Sequence, residues 1–330
     1  MDERPRAASA ISILSATTLA FTLALGCSTP TPDPHYRSAE NVLEVIALLR
    51  VHVSDDTYRF APARDYTGRN IYRSSLLRLE SLESIHADAL RAGHMNGVLA
   101  FAKARALERL RAFDLAAEEY RIAARFDSTL EAEALSSADV CSSLQRATRM
   151  AIDLDALTGT EPLAELRASE TALESMIVKF EERSRLLGEL SLTAEGTHYA
   201  AVVAEEIERT DVTRAAYITA LRHVIPEGNV RAVASLRRVV VLHPDSKYAN
   251  RHMLSLANLY AIIATEYVRG YPSETLHFDV TRFQELTDAA TRLYESVASR
   301  DGTPEKLEAA RRLEAFLAFA LTVDRDRFTP

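Results

Sequence analysis

Residues 97–128 read GVLAFAKARALERLRAFDLAAEEYRIAARFDS, and their pattern predicts the fold class. Small and apolar residues recur every three or four positions, which is the period of a helix that buries one face. The spacing predicts two short helices joined by a turn near residues 112–114. A small residue on each helix lets the pair approach closely while an aromatic ring fills the gap behind them. The residues expected to make this contact are Ala104 and Leu107 in the first helix and Ala116, Tyr120 and Ala123 in the second.

The pattern resembles a tetratricopeptide repeat, which places small and large residues at fixed positions in two antiparallel helices. Residues 213–246 resemble the same repeat. Ala220 falls in its first helix, residues 226–229 form its turn, Ala232 falls in its second helix, and Pro244 follows as the stop. The resemblance implies an all-α fold, namely a right-handed superhelical stack of antiparallel helix pairs, or tetratricopeptide-like α-solenoid.

A third unit is expected over residues 247–300. It follows the linker HPDSKYA at 243–249, which resembles that of repeat proteins in outer-membrane assembly lipoproteins and in Tol-Pal-associated periplasmic coordinators. Its second helix comes late, so residues 269–279 would be an insertion. A helix over 304–323 is expected to cap the stack, because terminal repeats need a polar outer face. The segment 129–209 is helical by pattern but fits the repeat poorly.

The composition favours a folded, helical domain without a nucleic-acid surface. The chain has 330 residues, of which 47% are hydrophobic and 26% charged, with only 10 glycines and 11 prolines. Such values suit a globular chain with a large core. The net charge is −8 and both signs are mixed along the chain, so no face is built to neutralise a phosphate backbone. We therefore expect no nucleic-acid partner.

The first residues have the layout of a secretory signal. Arg4 and Arg6 precede an uncharged apolar run that ends at Gly26 and Cys27. This resembles a bacterial lipoprotein signal, which implies cleavage after residue 26 and acylation of Cys27. An ordinary cleaved signal and a retained anchor are the alternatives. Residues 27–36 form a proline-rich tether, and residues 37–330 a single helical-repeat domain. By resemblance, Ser28 implies anchoring in the outer membrane, facing the periplasm.

The sequence carries no recognisable catalytic or metal motif. A glycine-rich phosphate loop, a paired-histidine zinc motif, a nucleophile elbow and a cysteine cluster are all missing from the chain. The nine histidines are scattered, and His243 with His252 makes the nearest approach to a site. Cys141 has no partner once Cys27 is acylated, so we expect a small buried residue rather than a reactive thiol. We predict no enzyme activity, no cofactor and no metal.

Two groups of residues are candidates for partner contact. The first lies in a connection expected over residues 53–70, where aromatic and arginine side chains alternate. The alternative is that this loop folds back over the first helix pair. The second group lies on the first helices of the repeats, which would line a groove. The candidates are Tyr58, Arg59, Phe60 and Tyr66 in the loop and Lys103, Arg222, Asn250 and Asn258 in the groove.

Three functions remain open from the sequence. The resemblance implies a non-catalytic envelope scaffold that holds a peptide or a partner helix in the groove of the stack. A rival is a cell-envelope enzyme or solute-binding lipoprotein whose site is built by residues 53–70 and 269–279. The third possibility is a structural accessory without a separate ligand.

Overall fold

A computed structural model describes residues 37–55, 71–152 and 170–327. These residues form eleven α-helices and contain no strand, which confirms the predicted all-α class. Tyr58, Arg59, Phe60 and Tyr66, Cys27 and the tether lie outside the described residues. The helices are α1 (Ser38–Asp55), α2 (Ile71–Ala92), α3 (Asn96–Arg109), α4 (Phe113–Phe126), α5 (Glu131–Arg149), α6 (Glu170–Ala194), α7 (Tyr199–Ala220), α8 (Gly228–Leu242), α9 (Ala249–Gly270), α10 (Val280–Ala298) and α11 (Glu305–Asp326).

The helices pack in the order in which they follow along the chain. The most extensive contacts join consecutive helices, such as α3 with α4, α4 with α5, and α9 with α10. Less extensive contacts skip one helix, for example those that join α1 with α3 and α9 with α11. Each described helix therefore buries its apolar face mainly against its neighbours in sequence.

The core is a series of apolar clusters that follow one another along the chain. The first joins α1, α2 and α3, and the second joins α3, α4, α5 and α6 to the start of α7. A third contains residues of α6, α7, α8 and α9, and the last joins α9, α10 and α11. Cys141 lies fully buried in the second cluster, where burial raises the pKa of its thiol. The expectation of a small buried residue at this position is confirmed.

The contact of α3 with α4 is close because its residues are small. Ala104 and Leu107 on α3 are buried against α4, together with Ala116, Tyr120 and Ala123 of α4. Gly97 brings the start of α3 against the end of α4, since a Cβ atom there would lie 2.5 Å from Cβ of Asp127. Such an approach leaves no room for a side chain at position 97.

The second expected unit, residues 213–246, differs from its expected layout. Its start falls inside α7, which ends at Ala220, so the first helix is earlier and longer than the repeat pattern predicts. Pro226 restricts the residue before it and keeps the chain from remaining helical there. Ala232 is fully buried as a contact residue would be, whereas Ala220 is only partly buried and Pro244 is exposed.

Two other helices begin or end at residues that differ from the sequence prediction. Helix α1 extends to Asp55, so the connection expected from residue 53 begins later. Helix α2 begins at Ile71, directly after the expected end of that connection at residue 70. Helix α11 covers the expected capping helix and reaches Asp326. Differences of this size are common at helix ends, because the ends fray and local sequence marks them only weakly.

Candidate functional site

A layer of buried charges joins α3 to α7. We call Arg109, Arg111, Arg183, Glu205 and Glu206 the ionic layer. Nη2 of Arg109 lies 2.7 Å from Oε2 of Glu205, and Arg111 donates to both oxygens of Glu206 at 2.5 and 3.0 Å. Arg183 of α6 donates to Glu206 at 3.3 Å. Because these groups are largely removed from water, their mutual pairing is what makes their burial tolerable.

Arg111 occupies an unusual backbone position. Its φ of 63° is in the left-handed region, where a helix end usually has glycine. The strain is of the order of 1 kcal/mol for a residue with a side chain. In return, the guanidinium group reaches the Glu206 carboxylate across the contact between the helices. The backbone conformation at Arg111 is therefore locally unfavourable, but it allows the side chain to pair with Glu206 in the ionic layer.

The linker between α8 and α9 is bound along one face of α7. We call His243, Ser246 and Lys247 the linker clasp. His243 Nε2 lies 3.0 Å from Oδ2 of Asp211, Ser246 donates to Glu208, and Lys247 contacts Glu205. The three acidic residues are spaced by three along α7, so they share one helix face. The linker thus runs antiparallel to α7, with a polar contact at each turn.

Two further contacts complete this arrangement. His252 Nε2 of α9 lies 2.6 Å from Oε1 of Glu208, so both histidines singled out in the sequence are paired with carboxylates on α7. Burial, together with the neighbouring Arg109 guanidinium, lowers the pKa of Lys247 to about 7. Among the described residues, no three side chains of the metal-binding types converge on one point. The histidines therefore join α7 to the linker and to α9.

A further buried carboxylate, that of Glu108, lies between α3, α4 and the start of α7. Glu108 accepts a hydrogen bond of 2.7 Å from the hydroxyl of Tyr120 and lies 3.3 Å from Nε2 of His198. Burial alone raises a carboxyl pKa, but His198, Arg105 and Tyr120 outweigh it and lower the pKa of Glu108. The carboxylate therefore stays charged and holds three helices together.

The groove residues expected from the sequence form contacts within the chain. Lys103 pairs with Glu83 at 3.1 Å and with Glu119 at 2.8 Å. Arg222 binds the carboxylate of Glu266 through two nitrogens, at 2.5 and 2.7 Å. Lys103 thus links α3 to α2 and α4, and Arg222 links the turn between α7 and α8 to α9.

The two asparagines of this group are also hydrogen-bonded. Asn250 accepts a hydrogen bond of 2.6 Å from Arg300, and Asn258 accepts one of 2.8 Å from the hydroxyl of Tyr294. Asn258 also lines a groove of about 480 Å³ between α9 and α11, the α9–α11 groove. That groove carries Glu266 beside arginines, so its charge is of mixed sign.

A different groove lies between α8 and α10, with α9 beneath it. We call it the α8–α10 groove, and its volume is about 570 Å³. Ile263 of α9 is buried at its floor, while Val230 and Val241 stand 66% and 68% exposed at its sides. The remaining residues that line it are Asn229, Val233, Ala234, Arg237, Arg238, Arg282 and Leu286. The lining is therefore apolar, with three cations and no carboxylate.

The three arginines of this groove differ from those of the ionic layer. Nη2 of Arg237 donates to the hydroxyl of Tyr260 at 3.2 Å, and the guanidinium of Arg282 lies 5.4 Å from the ring centre of Tyr267. Arg238 is exposed on α8. Within residues 37–55, 71–152 and 170–327, none of the three forms an ion pair with a carboxylate. Their charges remain accessible to a ligand.

Both walls of the groove are held firmly at their first turns. Asp279 caps the start of α10, because its carboxylate accepts hydrogen bonds from the backbone of Thr281 and Arg282. Helix α8 starts at Gly228, where a Cβ atom would lie 1.8 Å from the carbonyl oxygen of Arg222. Only glycine fits so close to backbone. The walls are therefore fixed before any ligand arrives.

The connection at 269–279, half of the site in the rival interpretation, is packed by aromatic rings. Tyr267 lies 5.3 Å from Tyr271 and 5.6 Å from Phe278, measured between ring centres, and Phe278 continues to Phe283 at 5.5 Å. The other half, residues 53–70, lies outside the described residues from position 56. Any contact between the two segments at these positions therefore lies outside the described residues, and the rival site stays a prediction.

The α8–α10 groove was not predicted from the sequence. The signal was a second apolar stripe on α8, at Val230, Val233 and Val241, next to the paired Arg237 and Arg238. An apolar residue on a helix is normally assigned to the core. Only the packing distinguishes the stripe that faces α7 and α9 from the one left open.

No family model matches this chain, and neither a curated protein nor a solved structure is significantly similar to it. Among the described helices, none is both long and apolar enough to cross a membrane. The resemblance to tetratricopeptide lipoproteins thus remains a prediction from the sequence.

Proposed function

We propose that this chain is a non-catalytic envelope lipoprotein, in which stacked helix pairs form a tetratricopeptide-like α-solenoid that holds a protein partner. The packing order of the helices supports the proposal most directly. In a solenoid each unit packs mainly against the next one, and the most extensive contacts among the described helices join consecutive helices. Such a stack offers long open surfaces between helices, where extended or helical segments of other proteins bind.

The lipid anchor is supported by the residues before the domain. A basic start, an apolar run and Gly26 directly before Cys27 match the order of a lipoprotein signal. Ser28 and the prolines that follow would then separate the folded domain from the membrane surface. In this proposal the protein faces the periplasm from the outer membrane.

Photo-crosslinking in the producing cells tests the binding function. A photoreactive residue is introduced into the intact chain at exposed apolar positions of several helices, namely Ile85, Val230, Val241 and Leu307. A binding scaffold gives a discrete protein adduct from at least one of these positions. If irradiation gives no adduct from any of them, the proposed function is wrong.

Fatty-acid labelling in the same cells tests the anchor. Cys27→Ser should abolish incorporation of the label and release the protein from the membrane fraction. Cys141→Ala is the matched control, because Cys141 is buried and should leave the labelling unchanged. Labelling that survives Cys27→Ser would contradict a lipid anchor at this residue.

A further inference from the structure

We propose that the α8–α10 groove binds an acidic amphipathic helix of a partner protein. This inference rests on the proposed binding function and adds the surface and the chemistry of the partner. It differs from the expectation drawn from the sequence, which assigned partner contact to Lys103, Arg222, Asn250 and Asn258. Those four side chains are already bound within the chain.

The shape of the groove suits a rod. Its lining runs along α8 from Asn229 to Val241, a length of about 18 Å at the rise of an α-helix. Two helices form its walls, and Ile263 of the third helix lies recessed at its floor with 8% of its surface exposed. A flat membrane surface cannot reach a recessed floor, whereas a helix of three turns can lie between the walls.

The apolar part of the lining suits one face of an amphipathic helix. Val230, Val233 and Val241 follow the helical period along α8, and Leu286 faces them from α10. Val230 and Val241 are largely exposed although they are bulky and apolar. Covering them with the leucines of a partner helix removes this surface from water, which favours binding in proportion to the area covered.

The charge of the lining specifies an acidic partner. The whole chain carries a net charge of −8, yet the lining of this groove holds Arg237, Arg238 and Arg282 and no carboxylate. Arginine binds carboxylates through two parallel hydrogen bonds and can do so while it stacks on a ring, as Arg282 does on Tyr267. Glutamate or aspartate at the edges of the apolar stripe would therefore meet a donor on each wall.

Two other depressions lack this single sign of charge. The α9–α11 groove includes Glu266, and a depression of about 760 Å³ between α4 and α5 includes Glu131. A carboxylate in the lining opposes an acidic ligand and satisfies the arginines beside it. The α8–α10 groove thus fits the proposed partner better than either.

A synthetic peptide tests the inference in solution. The probe has about 12 residues, enough to span the groove as a helix, with leucines at helical spacing flanked by glutamates. A matched probe carries lysine in place of each glutamate. Fluorescence anisotropy measures the binding of each labelled probe to the intact chain, to R237E/R238E/R282E, and to the control R251E/R292E/R311E, which reverses exposed arginines outside the groove.

We expect the acidic probe to bind the unmodified chain and the control variant with equal affinity. R237E/R238E/R282E should bind it at least about tenfold more weakly, since each reversed charge opposes the probe. The lysine probe should bind only this groove variant. A further variant, Ala234→Phe, fills the groove without changing charge and should weaken the acidic probe as well.

Four results would overturn the inference. The acidic probe could bind the groove variant as well as the unmodified chain, or bind neither. The protein could bind vesicles that contain anionic phosphatidylglycerol, and R237E/R238E/R282E could lose this binding. That result would assign the three arginines to a membrane surface. Sedimentation could show a dimer that this variant abolishes, which would assign the groove to a second copy of the chain.

The crosslinking experiment separates this inference from the function on which it rests. Adducts from Val230 or Val241 that disappear in R237E/R238E/R282E would support both the scaffold function and the groove as its binding surface. Adducts from Ile85 or Leu307 alone would leave the scaffold function standing and refute the groove as its binding surface. No adduct from any position would refute the scaffold function itself.

Discussion

The ionic layer and the α8–α10 groove both contain three arginines. The arginines of the layer are paired with carboxylates of the chain, whereas those of the groove are exposed to solvent. In the layer, Arg109 and Arg183 are buried, and each is bound to a glutamate of α7. In the groove, Arg237, Arg238 and Arg282 are exposed, and none meets a carboxylate within the described residues. One region uses arginine to join its own helices, whereas the other leaves it available.

The difference follows from the cost of burial. A buried charge without a partner is expensive, so the layer must be satisfied by the chain itself. An exposed guanidinium remains hydrated and costs little to leave unpaired. The same residue type therefore stabilises the fold in the layer and serves recognition in the groove, and burial decides between the two roles.

The largest effect on stability is expected from the layer. Glu206→Gln removes the charge that faces Arg111 and Arg183, and we expect a loss of about 3–5 kcal/mol in the free energy of unfolding. Arg238→Gln in the groove should change it by no more than about 0.5 kcal/mol. Urea unfolding followed by circular dichroism measures both. Equal losses in the two variants would remove the distinction between the regions.

Glycine substitutions test how firmly the groove wall is held. In Gly228→Ala the new methyl group would overlap the carbonyl oxygen of Arg222, and we expect a loss of about 1–3 kcal/mol. Gly188 is a matched control, because it lies within α6 with no neighbour within 4 Å of an added Cβ. Gly188→Ala should stabilise the protein by about 0.5–1 kcal/mol. Thermal unfolding measures whether each substitution raises or lowers the stability. An unchanged stability in Gly228→Ala would show that the start of α8 is not fixed.

The attachment of α9 to α7 should show an intermediate effect. His252→Ala leaves the buried carboxylate of Glu208 without its imidazole partner, at a cost of about 1–3 kcal/mol. His223→Ala should be close to neutral, since the side chain of His223 is 64% exposed. Chemical unfolding at neutral pH compares the two variants. A neutral His252→Ala would mean that this pairing does not hold the two helices together.

The smallest expected effect is a pH dependence from Glu108. Its pKa in the folded protein lies below the ordinary value of 4.5, so its contribution to stability is full above that pH and is lost as the pH falls below it. Glu108→Gln should therefore flatten the fall in stability in this acidic range. Unfolding titrations between neutral and acidic pH check this, and parallel curves for the two proteins would contradict the assignment.

Local sequence predicted the helices better than it predicted the contacts between them. The helical period, together with Ala104 and Tyr120, placed α3 and α4, because these signals lie within a few residues of one another. The ionic layer could not be predicted in this way, since Arg111 and Glu206 are separated by 95 positions. Nothing in either local sequence identifies the other residue as its partner.

The groove was hidden for a related reason. Lys103 and Arg222 looked suitable for a ligand because they lie on the first helices of the expected repeats, yet both pair within the chain. Nothing in the local sequence distinguishes Arg237 and Arg238 from the many other arginines of the chain. Whether a charge is already satisfied depends on residues that only the fold brings near, so accessibility could not be read from sequence spacing.

Hydrogen exchange of the intact chain with the acidic helix peptide tests the central claim most directly, because it reports every helix in one measurement. We predict that the peptide slows exchange in residues 229–241 of α8 and 280–286 of α10, while exchange in α3 and α7 is unchanged. Protection of α3 and α7, or uniform exchange with and without peptide, would contradict the division between arginines that hold the fold and arginines that bind a partner.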